Sequence, residues 1–228
     1  MSRFLLVRLG AFGDIVHAIP VAAALSRAFP SARIDWIVSA KHRELLDLVP
    51  IIDRRLVIKD RGDAGGGTSL IGAIRELRGT KYDVAFDLQG LLKSAVLARL
   101  SGAQRVVGFS SKYLRERLAR PFYTDVYDPG GGGMYDPRER SHVVQMNLGL
   151  LTTIGVAVGP PEFPIERVDT EIARAMRERG VLVRALSGLP QDVPSMRAAE
   201  GHALRIGVGP WESMERLLDA LREALACA

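Results

Sequence analysis

The strongest constraint on this chain is the alternation of two hydrophobic patterns. Residues 4–9 (FLLVRL), 32–39 (ARIDWIVS), 55–59, 82–87 (YDVAFD) and 105–109 are apolar runs of strand length. Between them, residues 14–29, 41–49, 69–78 and 91–100 carry apolar positions at helical spacing. Strands that alternate with helices predict a parallel sheet with helices on both faces, an α/β domain of the Rossmann-like class. A glycine-rich stretch at 60–68 (DRGDAGGGT) reads as a loop, and 128–140 (DPGGGGMYDPRER) as a linker without regular structure. After a helix predicted over 141–154, the proline-rich 155–168 marks a boundary. The expected domains are therefore 1–165 and 166–228. The second is a small α/β appendage, with helices at 170–179 and 211–225 and strands at 181–184 and 203–208.

Composition narrows the partners. Of 228 residues, 47% are hydrophobic and 25% charged, as a core-forming globular chain requires, and the net charge of +5 favours acidic ligands. The basic residues are not interleaved with stacking aromatics, which argues against nucleic acid. Cys227 is the single cysteine, so no disulfide framework can form within the chain. No run approaches the roughly 18 apolar residues that span a bilayer, and the N-terminus lacks a signal-peptide pattern. The expectation is a cytoplasmic protein, with a peripheral contact to the inner membrane left open.

The first strand hands over to the first helix through RLGAFGD (8–14). The glycines follow G-x-x-G. This is neither the G-x-G-x-x-G of dinucleotide folds nor a Walker loop. Asp14 admits two readings. It is the N-cap of the following helix, or it is a carboxylate at the ligand-binding edge of the sheet that takes a proton from a hydroxyl. His17 lies one turn further along the same face and either orients Asp14, touches substrate or is a plain polar residue. Pro20 removes a helical hydrogen bond and is expected to kink the helix.

Four stretches, in this order, resemble the lipopolysaccharide heptosyltransferases of glycosyltransferase family nine: RLGAFGDIVHAIPVAAALSRAFPSARIDWIV, YDVAFDLQGLLKSAVLARLSG, RVVGFSSKYLRERLARPFYTDVY and HVVQMNLGLL. The resemblance covers about residues 1–165. It implies the N-terminal half of a GT-B fold. It also implies an inverting, metal-independent transfer of heptose from ADP-heptose to the 3-deoxy-octulosonate (Kdo) of lipid A, with no cofactor. Asp14 matches the base that takes the acceptor proton, as single-displacement inversion demands. Gly13 and His17 adjoin it as substrate contacts. The acceptor is anionic, so Lys59, Arg61, Lys93, Lys112 and Arg115 are candidates to bind it. The Arg115-Glu116 pair is the best motif match among these. Tyr113, Leu114 and Leu118 beside these cations suggest an interfacial amphipathic turn.

The donor-binding half of such an enzyme is not recognisable after residue 165. The tail, RERGVLVRALSG…ALRIGVGPWESMERLLDALREALA, instead resembles the end of histidinol-phosphate aminotransferase-like enzymes. Arg205 there matches a carboxylate-gripping arginine. No part of 1–165 resembles the cofactor-lysine domain that such chemistry needs. The reading is a truncated heptosyltransferase. The alternatives are an inactive acceptor-binding fragment and an aminotransferase-related fusion.

Overall fold

A computed structural model describes residues 1–59, 68–136 and 142–165, together with the backbone of 183–185 and 204–206. The chain divides into two compact units, Met1–Ile165 and Glu166–Ala228.

The first unit is built on six parallel strands: β1 (Arg3–Val7), β2 (Arg33–Ser39), β3 (Arg54–Ile58), β4 (Val84–Asp87), β5 (Arg105–Phe109) and β6 (Asp125–Tyr127). Their order across the sheet is β3-β2-β1-β4-β5-β6. The chain thus moves outward from β1 to β3, returns to place β4 beside β1, and moves outward the other way. The direction reverses between β1 and β4. In open α/β sheets that reversal opens a crevice at the carboxyl ends of the two strands, where ligands bind. The Rossmann-like parallel sheet expected from the alternation is present. Its inner strands are buried on both faces, which is why they read as continuous apolar runs.

The helices are α1 (Phe12–Val16), α2 (Ile19–Ala28), α3 (Leu70–Arg78), α4 (Leu92–Leu100) and α5 (Val143–Gly149). Three expectations need correction. The single helix over 14–29 is two, because Pro20 sits in the first turn of α2, where its missing N–H costs nothing. A continuous helix would have set its ring against the carbonyl of Val16. His17 therefore caps the C-terminus of α1 instead of lying in a helix interior. Second, 41–49 is a 3-10 helix, Ala40–Leu48, and the helix over 141–154 is α5 followed by the 3-10 helix Leu150–Ile154. Third, β6 was not anticipated, because three residues are too few to show a period of two.

Of the glycine-rich linker, 128–136 is a loop without regular structure, tied back by the Met134 amide donating to the Lys112 carbonyl (3.0 Å). In the second unit, β7 (Val183–Ala185) and β8 (Leu204–Ile206) form an antiparallel pair. The helices expected at 170–179 and 211–225 lie outside the described residues. Among the described residues, no helix is long and apolar enough to cross a membrane.

Candidate functional site

The crevice between β1 and β4 is lined by two loops that sequence places there directly: RLGAFGD after β1 and DLQG after β4. The first delivers Asp14. It is not the N-cap of α1 but the third residue of that helix, and its Oδ2 accepts from the amide of the N-cap residue, Ala11 (3.3 Å). This contact at the helix start leaves 24% of the side-chain surface open to the crevice.

Two arginines converge on the same oxygen. Arg8 leaves the end of β1, is almost wholly buried, and ion-pairs with Asp14 Oδ2 while donating to the Leu88 carbonyl. Arg115 Nη2 approaches from the loop after β5, 3.1 Å from Oδ2. Burial alone would raise the Asp14 carboxyl. The charge and hydrogen bond of Arg8, the charge of Arg115 and the Ala11 amide outweigh burial and hold it below the ordinary carboxylate value. The carboxyl is thus held toward its ionised form. Burial also lowers the Arg8 guanidinium, against the pull of Asp14.

The DLQG loop is the foundation beneath this pair. Asp87 is fully buried at the end of β4. It accepts from the amides of Gln89 (2.9 Å) and Gly90 (3.2 Å), from Ser94 Oγ (3.0 Å) and from Tyr123 Oη (2.7 Å). Burial raises its carboxyl, and these four donors oppose the rise without cancelling it. The Gln89 side chain accepts from the Leu9 amide (2.8 Å), which fixes the first loop to the second. Gly90 has φ +71°, the left-handed region that favours glycine. Glu116 accepts from the Leu92 amide (2.6 Å) and its own amide donates to the Gly90 carbonyl (3.1 Å), so the third loop is fixed as well. Arg115 is in this way carried to Asp14 from 101 residues away in sequence.

The other predicted residues fare unequally. At Gly13 in α1, an added Cβ would meet nothing within 4 Å, so the space above the helix turn is open. His17 lies beside His142, the N-cap of α5, with ring centroids 5.8 Å apart, and its main-chain carbonyl accepts from Asn147 (3.1 Å). Its Nδ1 is buried without a hydrogen-bond partner. Burial first, then the neighbouring His142, lowers the His17 pKa. Lys59 is exposed just past β3, two strands from β1. Lys93 is exposed in the first turn of α4. Lys112 is committed elsewhere, paired with Asp128 (3.1 Å) and set over the Tyr113 ring. Arg61 lies outside the described residues, as does the Arg205 side chain. The amphipathic turn needs correction. Tyr113 and Leu114 are buried and only Leu118 is exposed, with Leu114 packed over Gly90 of the DLQG loop.

Arg8, Gln89 and His142 were not singled out from sequence. One signal for Arg8 was available: a charged residue inside an otherwise apolar strand run needs a buried partner. Gln89 and His142 gave none. Among the described residues, no group of three or more His, Cys, Asp or Glu side chains is arranged to hold a metal ion.

The fold and its switch-point loops define a Rossmann-like α/β domain of the kind found in GT-B glycosyltransferases. Four solved heptosyltransferase or family-nine structures share it, among them the Escherichia coli heptosyltransferase WaaC with ADP (22% identity, TM-score 0.60, covering 72% of this chain and 51% of that one). E. coli ADP-heptose heptosyltransferase II is also similar (20% identity, TM-score 0.55, 80% and 51%). Residues 71–183 match the family model described as glycosyltransferase family 9 (heptosyltransferase), a match that begins after β3 and runs on past the boundary at 165. Lipopolysaccharide heptosyltransferase 1 of Pseudomonas aeruginosa is 32% identical over 137 residues, covering 57% of this chain and 38% of that protein. The E. coli enzyme of the same name is 28% identical over 127 residues, covering 53% and 40%. The chain spans about two fifths of the length of these relatives.

Proposed function

We propose that this chain carries the acceptor side of a lipopolysaccharide heptosyltransferase, transferring heptose from ADP-heptose to the Kdo of lipid A. The observation that carries the reading is Asp14. It is an ionised, partly exposed carboxylate at the switch point of the sheet, held by Arg8 from below. Asp14 takes the proton of an acceptor hydroxyl as that oxygen attacks the anomeric carbon. The bond from that carbon to the diphosphate breaks, ADP leaves with the electron pair, and configuration inverts. No step calls for a metal ion. Arg115 and His17 meet the acceptor's anionic groups, and the open space above Gly13 admits the sugar. The exposed Leu118, flanked by Arg117 and Arg120, supplies a peripheral contact to the cytoplasmic face of the membrane that holds the acceptor.

The test is transfer from ADP-heptose to a Kdo-bearing lipid A by the purified chain and its Asp14→Asn variant. Loss of general-base catalysis predicts a fall of about 100-fold or more with the fold retained. A loss of less than about tenfold removes Asp14 from the base role. A second reading is acceptor binding without transfer by this chain alone. Calorimetry with ADP distinguishes them, since tight ADP binding excludes the second.

A further inference from the structure

The two arginines on Asp14 differ in one respect. The Arg8 side chain is 5% exposed and that of Arg115 42% exposed. Arg8 is also bonded to the Leu88 carbonyl, and withdrawing it would leave a buried guanidinium unpaired. Arg115 stands in solvent at the tip of its loop, and a pair of that kind is weak enough to be exchanged for a better one. Both arginines and the Ala11 amide crowd one oxygen, Oδ2.

We propose that Arg115 is a latch on Asp14 that an anionic group of the acceptor releases, so that the carboxylate becomes an effective base only once such an acceptor is seated. The proposal rests on the reading of Asp14 as the base. A carboxylate between two cations binds a proton poorly. Removing one cation while the other holds the geometry strengthens it as a base without setting it loose. The guanidinium fork matches a carboxylate, phosphate or sulfate bidentately, whereas the Asp14 contact uses one Nη. A neutral sugar cannot compete for Arg115, so the latch also selects for charge. The groups facing Asp14 are Arg8, Arg115 and the Ala11 amide, with His17 on the same helix and His142 beside His17.

The test follows the Asp14 carboxyl by carbon-13 NMR titration of the full chain, in wild type and Arg115→Gln. Inorganic sulfate, which stays anionic through the carboxylate range, is compared with chloride at equal ionic strength. Sulfate is expected to raise the wild-type Asp14 pKa by about half a pKa unit, the scale of an exposed pair. Arg115→Gln should start at the raised value in chloride and not respond to sulfate. An unmoved wild-type titration overturns the latch, as does an equal sulfate response in Arg115→Gln or an unchanged starting value in that variant. The readout needs no turnover. A failed latch therefore leaves Asp14→Asn to decide the base, and a failed base leaves this titration to decide the latch.

Discussion

Replacing Arg8 with methionine tests whether the buried ion pair organises the site. Methionine matches the apolar stem of Arg8 and leaves Asp14 with one cation. Breaking a fully buried pair typically costs about 3–5 kcal/mol, because a charge is left uncompensated. Here Asp14 keeps a quarter of its surface in water and retains Arg115 at 3.1 Å, so about 2–4 kcal/mol is expected. Urea unfolding reports it through Trp36, which is fully buried and donates its indole N–H to the Arg8 carbonyl (3.1 Å). A Trp211→Phe background isolates that signal. Pairing the change with Asp14→Asn closes a double-mutant cycle, whose coupling should exceed about 1 kcal/mol. The pH dependence has a definite sign. The folded Asp14 carboxyl lies below its unfolded value, so the pair's contribution is complete above about 3.9 and is lost as pH falls through the folded value. The gap between wild type and Arg8→Met should therefore close on acidification. Additivity within about 0.5 kcal/mol, or a gap that does not change with pH, would refute the argument.

Gly13→Ala should leave stability unchanged or raise it by up to about 1 kcal/mol, since helical glycine is unfavourable and its Cβ meets open space. If the acceptor approaches this turn, the same change raises the acceptor KM. Tyr123→Phe removes one of four donors from the buried Asp87 and should cost about 1.5–3 kcal/mol in urea unfolding. A cost near zero would mean that the carboxyl does not depend on that hydroxyl. Leu118→Glu should reduce co-sedimentation with anionic vesicles while leaving thermal stability as it was, and equal binding would remove the membrane contact.

Some of this was readable without the fold. The apolar runs 4–9, 82–87 and 105–109 have strand length and are bounded by turn or helical patterns, which is what strands buried on both faces of a parallel sheet require. Their alternation with helices required parallel crossovers, and the glycines at 10 and 13 marked the loop that carries Asp14. Hydrophobic run length and period are local properties of a sequence, so they survive being read one window at a time.

What the sequence could not order was the pairing across the sheet. It placed Asp14 and Arg115 in separate motifs, and only the return of the chain to set β4 beside β1, with β5 next, brings them to one oxygen. It ranked Arg115 above Lys112 by motif but gave neither a partner, and in the fold Asp128 takes Lys112 and Asp14 takes Arg115. Gln89 and His142 carried no signal, because a glutamine that fixes a distant amide looks like any other glutamine. Short-range physics determined the elements and the loop. The partner of each charge depended on which chain segments the topology stacked within a few ångströms, where Coulomb attraction and desolvation become large enough to choose.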